Sequence, residues 1–209
     1  RYVALSLNYA QREISQNITV NLEIFDVIIN NENSGISSPY TVALNITRAD
    51  LSGGVKAENS SGFNVSPCLG TGQNRNFTYV TNSEGWPEKS FLFLSFSNDF
   101  PENNCTGAMP DINKSLYTIS TSNSEAIISE KRFLALNKTY YENYLALKED
   151  FNLPHRINFG FNLKFSETDK IIAEKDIPSG INVFLDTSRI KVLKSDGKIQ
   201  FADLIIKVW

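Results

Sequence analysis

The sequence predicts an α+β fold in which a long N-terminal amphipathic helix packs on a largely antiparallel β-sheet head, with one short helix inserted near 138–151. Three observations predict it. Apolar residues recur at helical spacing through the first 31 residues. Two-residue alternation marks most of the later segments. One capping-type tetrapeptide, Thr139-Tyr-Tyr-Glu142, interrupts the strands.

The first segment carries Val3, Leu7, Ala10, Ile14, Ile18, Leu22, Phe25 and Ile29, separated by three or four positions. That spacing defines one face of a helix. Asn8, Gln11, Arg12, Ser15, Thr19, Glu23 and Asp26 fill the opposite side, and no Gly or Pro occurs before Gly35. Residues 1–31 therefore read as the spine, with Leu7, Ile14, Ile18, Leu22, Phe25 and Ile29 as its packing face. Each such side chain, once buried, stabilises the fold by roughly 1.5–3 kcal/mol. Asn30 to Gly35 reads as the stop, because Asn and Gly tolerate a left-handed backbone. No Ser, Thr, Asp or Asn cap precedes Val3, so an apolar helical segment before Arg1 is expected.

Residues 32–209 read as a β-rich head that forms a single domain with the helix. Tyr40, Val42, Leu44 and Ile46 alternate with polar neighbours, a half-buried strand with Asn45 on its outer face. Residues 48–90 are rich in Gly, Ser and Asn and read as long loops with short strands, one near Asn76 to Val80. Ser90 to Ser97 is dense in Phe and Leu and reads as a buried central strand. Leu116–Ser120 and Ala126–Leu136 read as separate strands. Tyr140, Tyr144, Leu147 and Phe151 form the core face of the inserted helix, closed by Asn152-Leu-Pro154. Strands then follow from Ile157 to Phe165, Lys170 to Ile177, Ile181 to Leu193 and Ile199 to Trp209, the last two joined by an Asp196-Gly197 turn.

The chemistry-bearing residues are sparse. His155 is the single histidine and follows Pro154 in a turn. Nucleophilic catalysis needs a base beside its Ser or Cys, and no Gly-x-Ser-x-Gly elbow exists. Glu149-Asp150, Asp169 and Glu174 sit among lysines and read as solvated surface. Cys68-Leu-Gly-Thr-Gly-Gln lacks the strand, Lys-Ser/Thr ending and helix of a phosphate-binding loop. The reading is of a non-enzyme with no catalytic, cofactor-binding or metal residues. A net charge of −3 with scattered Lys and Arg gives no basic stripe for nucleic acid. No apolar run is long enough to cross a bilayer.

Asparagine is abundant, 23 residues, and eight start Asn-x-Ser/Thr sequons. These are Asn17, Asn45, Asn59, Asn64, Asn76, Asn104, Asn113 and Asn137, against about four expected by chance from a motif set by its third residue. Beyond Asn17, within the helix, the other seven are candidate glycosylation sites. Two cysteines, Cys68 and Cys105, suggest one disulfide outside the cell. It would close a loop of about 37 residues, a constraint of roughly 4 kcal/mol on the chain-entropy account.

The helix followed by a strand-rich head resembles the type IV pilin-like proteins of archaea. The residues that carry the likeness are Tyr144-Leu-Ala-Leu-Lys-Glu-Asp-Phe-Asn-Leu-Pro154, the strand Asn158-Phe-Gly-Phe-Asn-Leu-Lys-Phe165, and the closing hairpin Arg189 to Trp209 with its Val-Trp ending. The likeness covers both ends and is thin over 48–130. The family's apolar N-terminal half-helix, its processing site and its early glutamate have no counterpart here, so no functional residue carries over. The resemblance implies a cell-surface subunit of a filament or secretion system, membrane-anchored in its full-length form. Self-association, and attachment to the membrane, would run through that missing N-terminal helix. The alternative is a secreted or anchored β-rich binding or adhesion module with an unknown receptor.

Overall fold

The computed structural model describes residues 2–31, 41–48, 52–60, 65–106 and 117–209. Strands take 48% of it and helices 22%. The N-terminal helix α1 is Tyr2–Ile18, not 1–31. Residues Thr19–Asn30 form strand β1. The fold class expected from the sequence, a long helix on a β head, is therefore corrected to a mostly-β chain with a short N-terminal helix.

The physical reason lies in residues 18–29. Apolar residues are so dense there that two periods fit: Ile18, Leu22, Phe25 and Ile29 at helical steps, and Val20, Leu22, then Phe25, Val27 and Ile29 at strand steps. Ile18, Thr19, Val20, Ile24, Val27, Ile28 and Ile29 are β-branched, which favours the strand. The helix ends without a glycine because side chains satisfy its last carbonyls. Asn17 Nδ2 donates to Glu13 O at 2.8 Å and Thr19 Oγ1 donates to Ser15 O at 2.6 Å. Arg132 Nη1 then donates to Thr19 O at 2.6 Å, fixing the turn-off point.

The remaining strands are β2 (Thr41–Asn45), β3 (Gly54–Asn59), β4 (Val65–Leu69), β5 (Phe77–Asn82), β6 (Lys89–Ser97) and β7 (Tyr117–Ser129). Helices α2 (Glu130–Glu142) and α3 (Tyr144–Asp150) follow, then β8 (Phe159–Lys164), β9 (Lys170–Ala173), β10 (Phe184–Leu193) and β11 (Ile199–Val208). One sheet has the hydrogen-bonding order β3-β6-β1-β7-β10-β11-β8-β9, and a second has β2-β5-β4. The chain divides into two compact units. Unit 1 is residues 1–19 with 127–209, and unit 2 is residues 20–126.

In unit 1, helices cover one side of the β10-β11-β8-β9 sheet. Ala10, Ile14 and Ile18 of α1, Phe133, Leu136 and Tyr140 of α2, and Tyr144 and Leu147 of α3 share a core with the strands. The sheet contributes Phe159, Phe161 and Leu163 of β8 and Ala202, Leu204, Ile206 and Val208 of β11. Leu7 is half-buried against the same cluster. The helix expected near 138–151 begins earlier and breaks at Asn143. Ser129 is its N-cap, with Oγ accepting from Arg132 N at 3.2 Å. Thr139 lies inside the helix and its hydroxyl donates to Ala135 O.

In unit 2, two sheets face each other. Phe25, Val27 and Ile29 of β1 and Leu92, Leu94 and Phe96 of β6 pack with Val42 and Leu44 of β2 and Val80 of β5. This is sandwich packing, with alternate residues turned inward. Leu22, Phe25 and Ile29, expected on a helix face, are buried strand residues. β7 is one continuous strand where two were expected, and it ends at Ser129 rather than Leu136. β9 stops at Ala173, not Ile177.

Candidate interaction surfaces

The disulfide is formed between Cys68 and Cys105. Its role follows from the residues around it. Leu69 N donates to Asn103 O, and Cys105 N donates to Leu69 O, both at 2.8 Å, so residues 103–105 run alongside β4. The Asn103 carboxamide then serves two strands. Its Oδ1 accepts from Val55 N at 2.9 Å, and its Nδ2 donates to Val55 O at 2.9 Å and to Pro67 O at 2.8 Å. Val55 lies on β3, an edge of the large sheet, and Pro67 lies on β4. An exposed strand edge invites unwanted pairing, and a side-chain amide that copies a peptide group closes it.

The opposite edge is closed by the same device. Asn137 Nδ2 donates to Ile172 O at 2.6 Å, and the Tyr141 hydroxyl donates to the same oxygen at 3.1 Å and accepts from Glu174 N at 3.3 Å. Helix α2 thereby covers β9. Sequence reasoning marked Asn137 only as a sequon and missed Asn103 entirely.

The residues weighed for chemistry are dispersed. His155 is exposed, and its carbonyl accepts from Lys148 Nζ at 2.6 Å. Burial, and then the charge of Lys175, hold the Lys148 ammonium below its usual range. Glu149, Asp150 and Asp169 are exposed. Glu174 accepts from Lys207 at 2.8 Å and from Asn162 at 3.2 Å, a structural ion pair. Tyr140, Tyr144, Leu147 and Phe151 are core residues. Burial pushes both tyrosine hydroxyls upward; Tyr140 donates to Phe159 O at 2.7 Å, and Tyr144 accepts from Phe159 N. The glycine-rich stretch after Cys68 leads into a single 3-10 turn, Gly72–Asn74. Among the described residues no group of three or more His, Cys, Asp or Glu could hold a metal, and no helix is long and apolar enough to cross a membrane.

Four sequon asparagines, Asn17, Asn45, Asn76 and Asn104, are exposed, and Asn59 and Asn137 are half-buried. Asn64 and Asn113 lie outside the described residues. Six of the eight sequons belong to unit 2.

Large apolar side chains stand exposed on strand faces in both units. Strand β6 alternates between exposed and buried from Lys89 to Leu94, so the reading of Ser90–Ser97 as buried on both sides is corrected. Leu92, Leu94 and Phe96 point inward, whereas Phe91 and Phe93 are 52% and 42% exposed. Phe91 pairs with Ile28 of β1, and Phe93 lies between Asp26 of β1 and Glu58 of β3. A groove of about 120 Å³ runs here, lined by Asp26, Ile28, Phe91 and Phe93 among others. In unit 1 the face of β10 and β11 away from the helices shows Leu185 and Phe201 more than half exposed. Lys207 is the cross-strand partner of Leu185, and Lys191 that of Phe201. The Arg189 guanidinium lies 5.9 Å from the Phe201 ring centre while pairing with Asp203 at 2.9 Å.

No family model, no curated protein and no solved structure matches the chain.

Proposed function

We propose that the protein is a non-enzymatic structural subunit of the cell surface, acting through its sheet faces rather than through an enclosed site. The observation that supports this most directly is the exposure of Phe91, Phe93, Leu185 and Phe201 on strand faces. Large apolar side chains left exposed on a strand face, as at Phe91 and Phe93, are a feature of interaction sites. The disulfide and the excess of sequons favour a compartment outside the cytosol. In its finer form the reading is a glycosylated pilin-like component of a filament or secretion system. That form now rests on the terminal segments α3, β8 and the β10–β11 hairpin, because the long spine helix is replaced by α1 and β1. An adhesion module is the second reading, favoured by the groove beside Phe91 and Phe93.

Surface labelling of intact native cells, followed by shearing and sedimentation of the released material, tests the proposal. The expected result is a labelled chain, heavier than its sequence mass by its glycans, pelleting with sheared filaments. An adhesion module would be labelled but stay in the supernatant. A chain protected from label, with two alkylatable thiols, would overturn both readings.

A further inference from the structure

Three sequon asparagines far apart in the sequence meet at one end of the small sheet of unit 2. Asn45 is the last residue of β2 and pairs with Phe77, the first of β5. Asn76 immediately precedes Phe77, and its carbonyl accepts from Ile46 N at 3.3 Å. Leu69 is the last residue of β4 and pairs with Thr78 on one side and Asn104 on the other. Asn45, Asn76 and Asn104 therefore lie along a row of four backbone segments, about 14 Å across at the usual spacing of paired strands. The turn from β4 to β5 leaves the sheet at the same end, and residues 71–76 are all exposed.

The side-chain amides separate the sequons further. Asn45, Asn76 and Asn104 are exposed, and among the described residues none of their side-chain amides is held in a hydrogen bond. Asn137 commits its amide nitrogen to Ile172 O at 2.6 Å, and the Tyr141 hydroxyl donates to the same oxygen. Asn17 commits its own to Glu13 O at 2.8 Å. At these two positions the nitrogen that a sugar would join is already holding a sheet edge or a helix end.

From this placement we infer that Asn45, Asn76 and Asn104 carry N-linked glycans as one patch that shields the β4–β5 turn, while Asn17 and Asn137 stay bare. The inference rests on the cell-surface reading above and deepens it by saying which sequons are used and for what. The sugar donor is an oligosaccharide on a phosphorylated polyprenyl lipid. Asparagine Nδ2 bonds to C1 of the sugar, the C1–O bond to the carrier breaks, and the amide gives up one proton as the lipid phosphate leaves. The transferring enzyme also reads the Ser or Thr two positions on. Thr47 and Thr106 are exposed, but Thr78 is buried. Asn76 is therefore modified before β5 pairs, and its glycan is left outside as Thr78 turns in. An exposed turn between strands is a preferred site of proteolytic cutting. This one carries Arg75, one bond from Asn76. A bulky, hydrated glycan at its end and one on either flank keep a protease away from it.

The sites are tested by glycopeptide mass spectrometry on the protein taken from its native cells, with fragmentation that localises the sugar. Peptides containing Asn45, Asn76 and Asn104 are expected to be heavier by a glycan each, and Asn17 and Asn137 to be found at sequence mass. The shield is tested with trypsin under native conditions. The wild-type chain is expected to stay intact after Arg75. The variant Asn45→Gln, Asn76→Gln, Asn104→Gln, made in the same cells, is expected to be cut there. Thr47→Ala, Thr78→Val, Thr106→Ala removes the same three glycans with every asparagine in place, and is expected to be cut at the same bond. Far-UV circular dichroism confirms that each variant is folded. A bare asparagine at any of the three positions would overturn the inference, as would a sugar on Asn17 or Asn137. So would folded glycan-free variants that resist trypsin as the wild type does. Bare asparagines on a surface-labelled chain would sink this inference and leave the subunit's location standing. Sugar on all three sites of a chain that is never labelled would do the reverse.

Discussion

Replacing Asn103 by Ala removes one acceptor and one two-proton donor from the point where β3, β4 and the disulfide segment meet. Val55 N, Val55 O and Pro67 O each lose a partner, and Val55 is buried. A typical internal hydrogen bond contributes about 0.5–1.5 kcal/mol net, so the three together set a range of about 1.5–4.5 kcal/mol. Asn103 itself is half-buried, so water reaches part of the vacated space, and the freed side chain no longer loses rotamer entropy. The expected loss is about 2–4 kcal/mol. Asn103→Asp is the sharper probe. It keeps the acceptor for Val55 N but sets a carboxylate against two carbonyl oxygens, so its folded-state pKa rises above the unfolded value of about 3.9. A raised carboxyl pKa means the penalty is smallest below the unfolded value and grows as pH rises through the folded one. Urea unfolding of the oxidised protein, followed by fluorescence of Trp86 in a Trp209→Phe background, reports on unit 2 alone, because the two tryptophans lie in different units. Gly54→Ala attacks the same contact from the strand side, where an added Cβ would come 2.0 Å from Pro101 O. A loss below 1 kcal/mol for Asn103→Ala with the disulfide intact would refute the idea that this amide joins the two strands.

Reducing the disulfide, or Cys68→Ser with Cys105→Ser, is expected to cost about 4 kcal/mol from the 37-residue separation, read as a lower urea midpoint for unit 2. Glu130 is half-buried within unit 1. That burial pushes its carboxyl up, but hydrogen bonds from Lys194 and Ser195 outweigh it and hold it below its usual range. The stability it contributes is present above the unfolded carboxyl pKa and lost as pH falls through the folded one. Glu130→Gln should therefore flatten the acid limb of a stability-against-pH curve, and an unchanged limb would refute this. Tyr140→Phe removes the donor to Phe159 O at a fully buried site and is expected to lower the melting temperature of unit 1, at about 1–3 kcal/mol.

The later strands were legible because alternation there has no competitor. Thr41–Asn45, Phe159–Lys164 and Ile199–Val208 fall within the segments the sequence marks, and the Asp196-Gly197 turn has Gly197 at φ 91°. The pairing of Cys68 with Cys105 followed from there being two. Residues 18–29 misled because apolar density erased the difference between periods of 3.6 and 2, and β-branching was the deciding signal. Phe91 and Phe93 misled because Phe and Leu alternate in β6, so both faces of the strand look apolar when only one is covered. Asn103 was illegible for another reason. Its value depends on Val55 and Pro67, 48 and 36 positions away, and no local pattern announces that meeting.

Unit 2 is inserted in the sequence of unit 1. Helix α1 is made before unit 2, but the strands that cover Ala10, Ile14 and Ile18 are made after it. All of unit 2 is synthesised between them. During that interval the helix face has no partner, and a helix of this length is marginal alone. Synthesis therefore sets an order: β1 to β7 can collapse while the chain is still growing, whereas unit 1 closes only after β11 is released. A long-range closure of this kind is slow and leaves apolar surface waiting. For this chain the vulnerable interval is the one during which unit 2 is made, and the surface most in need of a chaperone's cover is the Ala10–Ile18 face of α1.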